Sequence, residues 1–254
     1  MNKKENLYPI EVNQHRVIQR ITLKRLFGDI VKAFNLERGI FRTIAGLLRR
    51  PGDTIRHFLN EGRHEQFHPV RFLLISTALS LFVFLAVGGQ EEMKEAFIPE
   101  FNEGSSASES EKVVFQEVFE QVFYDYFNAM IWMFIPVMSL FSYLFYRKST
   151  GYNYAENLVA NTYVLCIGNL INTIFYCFTF YWGISITSLI ATTLYVIYNV
   201  YAFFSFFHNR RTGIAETIVK AILVIVLSYI VYIALFSFIV GMIVGIKVGA
   251  INGG

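Results

Sequence analysis

One segment of the chain has the spacing of a catalytic motif, because His64, Glu65 and His68 form H-E-x-x-H. On a helix, this spacing presents two imidazoles to one Zn²⁺, and the glutamate activates a bound water. Gly62 and Pro69 leave space for only a short helix, and a proline disfavours helical backbone at the residue before it. No third ligand is evident in the sequence. We therefore expect no metal cofactor and interpret His64 and His68 as polar residues that precede a membrane span.

A polar stripe lies on one face of a long apolar segment. Its four members fall within about 120° of arc on a helix: Asn157, Asn161, Asn169 and Asn172. Because amides are costly in hydrocarbon, this face should look into a helix bundle or a wet cavity. It would act either as a polar path for a substrate or as a set of interhelical hydrogen bonds, with Asn128 and Asn199 as candidate partners.

A stripe of small residues follows near the C-terminal end, at intervals of four: Ser237, Gly241, Gly245 and Gly249. Small residues at this spacing allow another helix to approach closely. The partner helix could belong to the same chain or to a second copy, and we favour a homo-oligomer.

Basic residues cluster in the first third of the chain. The segments 22–35 and 40–48 have apolar residues at three- and four-residue spacing, which predicts amphipathic helices. Pro51 and Gly52 should break the chain, and Asp53 should cap a third short helix. Such helices suit a membrane surface with anionic lipids, although they could also pack on each other or on a helix bundle. The candidate lipid- or partner-binding residues are Arg49, Arg50, Arg56 and Arg63.

Composition excludes most classes of protein for these 254 residues. Hydrophobic residues make up 54% of the chain and charged residues only 16%, whereas an ordinary soluble domain is about 25% charged. A soluble enzyme and a disordered chain are therefore excluded, and an all-α polytopic membrane protein is predicted. We expect no nucleic-acid partner. The five predicted spans are 70–89, 126–146, 158–182, 184–207 and 218–246, with the third and fourth joined at Trp182 and Gly183.

Charge predicts the orientation of these spans. Residues 1–69 contain 13 Lys and Arg against 7 Asp and Glu, a net charge of +6, whereas residues 90–123 contain 2 Lys and 9 Glu, a net charge of −7. By the positive-inside rule, the N-terminus should be cytoplasmic and the C-terminus extracytoplasmic. The predicted organisation is a cytoplasmic amphipathic-helix region at 1–69 and a five-helix transmembrane domain at 70–251, with an acidic extracytoplasmic segment at 90–123.

Residues 34–74 contain a recognisable pattern: Arg50-Pro51-Gly52, Ile55-Arg56, Gly62-Arg63, and Pro69 before the first span. The pattern resembles an uncharacterised bacterial membrane family known as domain of unknown function 3667, which implies a location in the bacterial inner membrane. Many of its members carry an N-terminal zinc ribbon of paired cysteines, but no cysteine precedes Cys166 here. More distantly, the layout is similar to the five-span Yip family, with residues 151–156 as its polar stretch before span three.

Three hypotheses for function follow. The first, which the Yip resemblance implies, is a non-catalytic membrane protein that organises the membrane or partner proteins through helix contacts. The second is a homo-oligomeric channel or pore that packs through the glycine face of the last span. The third is a membrane zinc metalloprotease that uses His64, Glu65 and His68.

Overall fold

The computed structural model of the protein describes residues 39–60, 65–89, 109–209 and 213–252. Within these ranges the chain is α-helical and contains no strand, which confirms the all-α prediction. The helices are α1 (Ile40–Arg49), α2 (Pro51–Asn60), α3 (Pro69–Ala86), α4 (Glu109–Thr150), α5 (Tyr154–Tyr176), α6 (Thr179–Phe207) and α7 (Ile214–Asn252). The predicted helix at 22–35 and most of the predicted acidic segment lie outside the described residues.

Among the described residues, four helices are long and apolar enough to cross a membrane: α3, α5, α6 and the Ile214–Gly249 part of α7. Large apolar side chains point outward along them, and Phe82, Leu189 and Phe238 are about 70% exposed (70%, 68% and 68%). Contiguous apolar surface on this scale belongs against lipid rather than water. The protein is therefore an integral membrane protein with several spans. The predicted second span lies inside α4, so the total of five stays a prediction.

Helices α4 and α7 pair along their lengths, α3 packs on α5, and α6 packs on both α5 and α7. At 42 and 39 residues, α4 and α7 are about 60 Å long, roughly twice the hydrocarbon thickness. Val114 and Val118 of α4 pack against Val240 of α7 near their far ends. The pair therefore continues past the hydrocarbon layer, and the first part of α4 leads into the predicted second span without a break.

The turn between α5 and α6 differs from the predicted one. It lies at Cys177 and Phe178, five residues before the predicted Trp182–Gly183 junction. Gly183 is instead a kink within α6, with φ of 73°. A glycine has no Cβ, so it adopts this left-handed conformation at little cost. Gly183 does interrupt the regular helix, as the sequence indicated, but it marks a bend within α6 rather than the loop between α5 and α6.

The junction of α1 and α2 is also shifted from the prediction. Arg50 alone is non-helical, with φ of −145° and ψ of 66°, and Pro51 is the first residue of α2. Proline suits this position because its missing N–H would have no helical partner there and its φ is already set. The predicted break between the two helices is therefore present but lies one residue before Pro51 and Gly52, and the prediction that Asp53 caps α2 was wrong. Asp53 lies in the first turn, where its charge favours the helix dipole.

Candidate functional site

Helices α1 and α2 form an amphipathic hairpin, residues 40–60, that packs against α6 and α5. Its buried side includes Leu47 and Ile55, which are 0% and 1% exposed. Two tyrosines of α6 reach the end of α1: the Tyr198 hydroxyl donates to the Leu47 carbonyl at 3.2 Å, and the Tyr201 hydroxyl donates to the Arg49 carbonyl at 2.6 Å. The hairpin thus belongs to the same compact unit as the spans, which extends over Arg38–Gly254.

Gly52 makes the closest approach between the hairpin and α6. Its backbone N–H donates to the Ser205 Oγ at 3.0 Å. A Cβ on Gly52 would overlap the Ser205 carbonyl and crowd the Phe206 nitrogen, both of which are backbone groups that cannot rotate away. Only glycine therefore permits this contact.

Arg56 completes the contact one turn later. Its Nη1 donates to the Ser205 carbonyl at 3.0 Å and to the Phe206 carbonyl at 2.9 Å, and its Nη2 donates to Asp53 at 2.7 Å. The last carbonyls of a helix have no partner within it and carry the negative end of its dipole. A guanidinium can satisfy two of them at once. The structure thus places Arg56 against the C-terminal end of α6 rather than on an open surface.

Tyr152 lies beside this contact, in the segment between α4 and α5. Its ring stacks on Phe206 with centroids 4.6 Å apart. Burial raises the pKa of the Tyr152 hydroxyl from its ordinary value, although the nearby Arg56 lowers it in part. Because the net shift is upward, Tyr152 stays protonated and neutral at physiological pH.

A cationic cavity of about 450 Å³ opens on the hairpin. Its lining residues are Arg42, Ala45, Gly46, Arg49, Arg50, Asp53, Thr54, His57 and Gln66. Arg42 pairs with Glu65 at 3.2 Å. Arg49 and Arg50 are exposed and have no acidic partner within 4 Å in the part of the chain that the structure describes. Arg63, the fourth predicted cation, lies outside that part.

The H-E-x-x-H segment does not have the geometry of a zinc helix where it is described. Residues 65–68 form a turn and an extended segment, and His68 has φ of −62° and ψ of 132°. His68 caps α3 instead, since its Nδ1 accepts from the Val70 N–H at 3.3 Å. His64 lies outside the described residues, among which no group of three potential ligands could hold a metal ion.

The asparagine stripe of α5 lies inside the bundle. Asn161 is its most connected member, because its Nδ2 donates to the Ser139 and Ser142 Oγ atoms of α4 at 3.1 and 3.0 Å. Asn169 Nδ2 donates to the Thr77 Oγ1 of α3 at 3.0 Å, and Asn157 Nδ2 donates to the Asn153 carbonyl at 2.7 Å. Three of the four asparagines therefore take part in hydrogen bonds between or within helices.

Among the described residues, the side chains on other helices that accept hydrogen bonds from Asn161 and Asn169 belong to serines and a threonine. The Nδ2 of Asn199 donates to the Tyr195 carbonyl of its own helix at 2.8 Å, and its Oδ1 has no hydrogen-bond partner. The side chain of Asn128, the other expected partner, lies outside the described part. Asn172 is half-buried and lines a cavity between the helices.

The small-residue stripe of α7 is not covered by any described part of the chain. No described atom lies within 4 Å of where a Cβ would stand on Gly241, Gly245 or Gly249, and Ser237 is exposed. Val240 of the same helix packs on α4 instead. The prediction that these residues pack against a second copy stays a prediction.

The described fold defines the class: an all-α integral membrane protein with an amphipathic hairpin held at one end of its bundle. Within that class, residues 37–81 match the model of a family described as "Protein of unknown function (DUF3667)". The match covers the hairpin and most of α3, so the resemblance carried by Arg50-Pro51-Gly52 and Ile55-Arg56 is confirmed. No curated protein and no solved structure gives a significant match, and the similarity to the Yip family has no support here.

The sequence analysis did not identify the residues of α6 on which the hairpin packs. Ser205, Tyr198 and Tyr201 are polar groups on the last three turns of an apolar helix. Such residues also occur at the ends of spans for their fit to the lipid headgroup layer, so their presence gave no pointer to α1 or α2. The only available signal was Gly52, because a glycine inside the first turn of a helix often marks a close approach of another backbone.

Proposed function

We propose that the protein is a non-catalytic integral membrane protein whose hairpin binds anionic lipid headgroups at the cytoplasmic surface and thereby organises the surrounding membrane. The observation that carries this proposal is the pair Arg49 and Arg50, which lie exposed beside the cationic cavity without an acidic partner in the described structure. A phosphate group is the natural ligand for guanidinium pairs, because their planar donors match its oxygens.

The charges at this end of the bundle support a cytoplasmic orientation. Arg71 begins α3 and Arg147 and Lys148 end α4, next to the hairpin side of the bundle. Lys and Arg concentrate in cytoplasmic loops, and the cytoplasmic leaflet carries the anionic lipid that the hairpin would bind. A hairpin locked to the end of α6 would hold its two free cations at a fixed depth in the headgroup layer.

The two alternatives have less support. A pore through the asparagine stripe would need a continuous open path, whereas Asn161 is 1% exposed and hydrogen-bonded to α4. One observation still supports the pore hypothesis. Within the described structure no atom covers the glycine face of α7, which is compatible with packing of subunits. A zinc protease would need His64 and His68 on one helix, and His68 is the cap of α3.

The test compares the stabilisation of the detergent-held protein by short-chain phosphatidylglycerol and by phosphatidylcholine of equal chain length. In the wild type, phosphatidylglycerol should raise the unfolding temperature more than phosphatidylcholine. Each cation near a headgroup contributes about 1 kcal/mol, so the double variant Arg49→Gln, Arg50→Gln should bind phosphatidylglycerol about 30-fold more weakly.

A matched control is available at the same end of the bundle. Arg147→Gln with Lys148→Gln removes the same charge from two adjacent exposed positions outside the hairpin and should leave the lipid preference nearly unchanged. If both double variants lose the preference equally, the effect comes from net charge and the hairpin site is refuted. If neither loses it, the site is refuted as well.

A further inference from the structure

Helix α1 has a second apolar side that the bundle does not cover. Phe41 is 80% exposed and Leu48 is 49% exposed, and they are the exposed large hydrophobic residues of the hairpin. Because they are seven residues apart, they lie on the same side of the helix, with the exposed Ala45 next to them. We refer to Phe41, Ala45 and Leu48 as the apolar edge of α1.

The apolar edge lies on the side of α1 that is opposite α2. Gly46 marks the side toward α2, because a Cβ on Gly46 would crowd the Thr54 side chain. A helix turns about 100° per residue, which places Phe41 and Leu48 about 150° around α1 from Gly46. The residues that face the bundle form a third side, and they are Ile40, Thr43 and Leu47. The apolar edge therefore contacts neither α2 nor the core of the bundle.

The apolar edge of α1 adjoins the lipid-facing side of α6. Leu194, Ile197 and Tyr201 are exposed, and their three- and four-residue spacing places them on one side of α6. The Tyr201 hydroxyl donates to the carbonyl of Arg49, the residue after Leu48, at 2.6 Å. The apolar surface that α6 presents to lipid therefore ends beside the apolar edge. Tyrosine is typical of the boundary between headgroups and hydrocarbon, which is the depth expected for this edge.

Two arginines border the apolar edge. Arg42 and Arg49 directly follow Phe41 and Leu48, and both line the cationic cavity. An apolar side flanked by arginines is typical of a helix in the membrane surface, whose apolar side chains enter the headgroup and acyl boundary by about 5–10 Å. Two copies of the chain that packed through this edge would instead bring their arginines together, which is unfavourable. The charges therefore favour lipid over a second copy as the partner of the edge.

We infer that the apolar edge of α1 inserts into the cytoplasmic leaflet, with Phe41 and Leu48 below the lipid headgroups. This inference deepens the proposed function and rests on it for the placement of the hairpin at the membrane surface. Lipid acyl chains contact the apolar edge, and the cations of the cavity face the phosphates of the same leaflet. Insertion of apolar side chains among lipids next to α6 is then the physical means by which the hairpin organises the membrane.

The test measures collisions of nitroxide labels with oxygen, which dissolves in hydrocarbon, and with a nickel chelate, which stays in water. Single labels are attached to Phe41→Cys, Leu48→Cys and Arg42→Cys in a Cys177→Ser background, in phosphatidylcholine nanodiscs. Cys166 is buried and does not compete for the label. We expect the labels at positions 41 and 48 to lose contact with the nickel chelate and to collide with oxygen. The label at position 42 is the control, which should keep contact with the nickel chelate.

Two results would overturn the inference. Contact of the nickel chelate with all three labels would show that α1 lies above the membrane. Loss of contact with both reagents at positions 41 and 48 would show that protein covers the edge. Spectral broadening between labels would then identify a second copy, and its absence would identify residues outside the described ranges.

The outcome is separable from that of the proposed lipid site, because phosphatidylcholine provides no anionic headgroup. If the labels at positions 41 and 48 insert but Arg49→Gln with Arg50→Gln keeps the phosphatidylglycerol preference, the headgroup site is refuted and insertion stands. If that variant loses the preference but the labels contact the nickel chelate, insertion is refuted and the headgroup site stands. The three labelled positions are exposed, so cysteine there removes no buried packing.

Discussion

Alanine at Gly52 should detach the hairpin from the bundle. The added Cβ would overlap the Ser205 carbonyl, so α2 must move away from α6 and lose the Gly52 N–H and Arg56 hydrogen bonds together. Overpacking of this kind costs about 1–3 kcal/mol. Trypsin cleavage after Arg49 reports on local opening of the hairpin, and we expect it to accelerate about 5- to 150-fold.

Gly213→Ala is the matched control for this experiment. A Cβ there would approach only the Glu216 Cβ, at 3.9 Å, which is an ordinary contact. Trypsin should therefore cleave the Gly213→Ala variant at the wild-type rate. Equal cleavage rates for Gly52→Ala and the wild type would show that the hairpin is not packed on α6 as described.

Aspartate at Asn161 should destabilise the bundle more than any other isosteric change on the stripe. Ser139 Oγ already donates to the Ile135 carbonyl, and Ser142 Oγ donates to the Ser139 carbonyl. A carboxylate at position 161 would therefore face oxygen atoms whose protons are used elsewhere. An aspartate at the centre of a span costs about 2.5–3.5 kcal/mol on insertion scales. Unfolding in detergent should shift to a markedly lower temperature.

The same exchange at the start of the helix provides the comparison. The Asn153 side chain caps α5 by accepting from the Glu156 N–H at 2.9 Å. Asparagine and aspartate cap helices about equally well, so Asn153→Asp should change the unfolding temperature little. If Asn161→Asp is as mild as Asn153→Asp, position 161 is wet, and the pore hypothesis would gain the open path that it now lacks.

Local periodicity predicted the elements well. The apolar spacing of residues 40–48 indicated α1, and α1 is observed at Ile40–Arg49. The apolar runs located the four candidate spans, with ends that differ by a few residues. These predictions succeeded because helix formation and burial of an apolar face are properties of neighbouring residues. The turn between α5 and α6 does not lie at Gly183, which shows a limit of local sequence patterns. A glycine is equally compatible with a kink inside a helix and with a turn between two helices.

The contacts between distant segments could not be predicted in the same way. Gly52 and Ser205 are 153 residues apart, and no local pattern links them. The asparagine stripe was found because an amide is conspicuous in an apolar helix. Its partners Ser139, Ser142 and Thr77 were not found, because small hydroxyl residues in spans usually bond their own backbone. The cavity that Asn172 lines is bounded by five helices at once, so only the assembled bundle reveals it.

The docking of the hairpin on α6 is the claim on which the proposed lipid site depends. The most direct test replaces Tyr201 with p-azidophenylalanine, since the Tyr201 hydroxyl lies 2.6 Å from the Arg49 carbonyl. After illumination in membranes, mass spectrometry should find the crosslink within residues 47–52. Crosslinks to lipid alone, or to any other part of the chain, would contradict the docked hairpin.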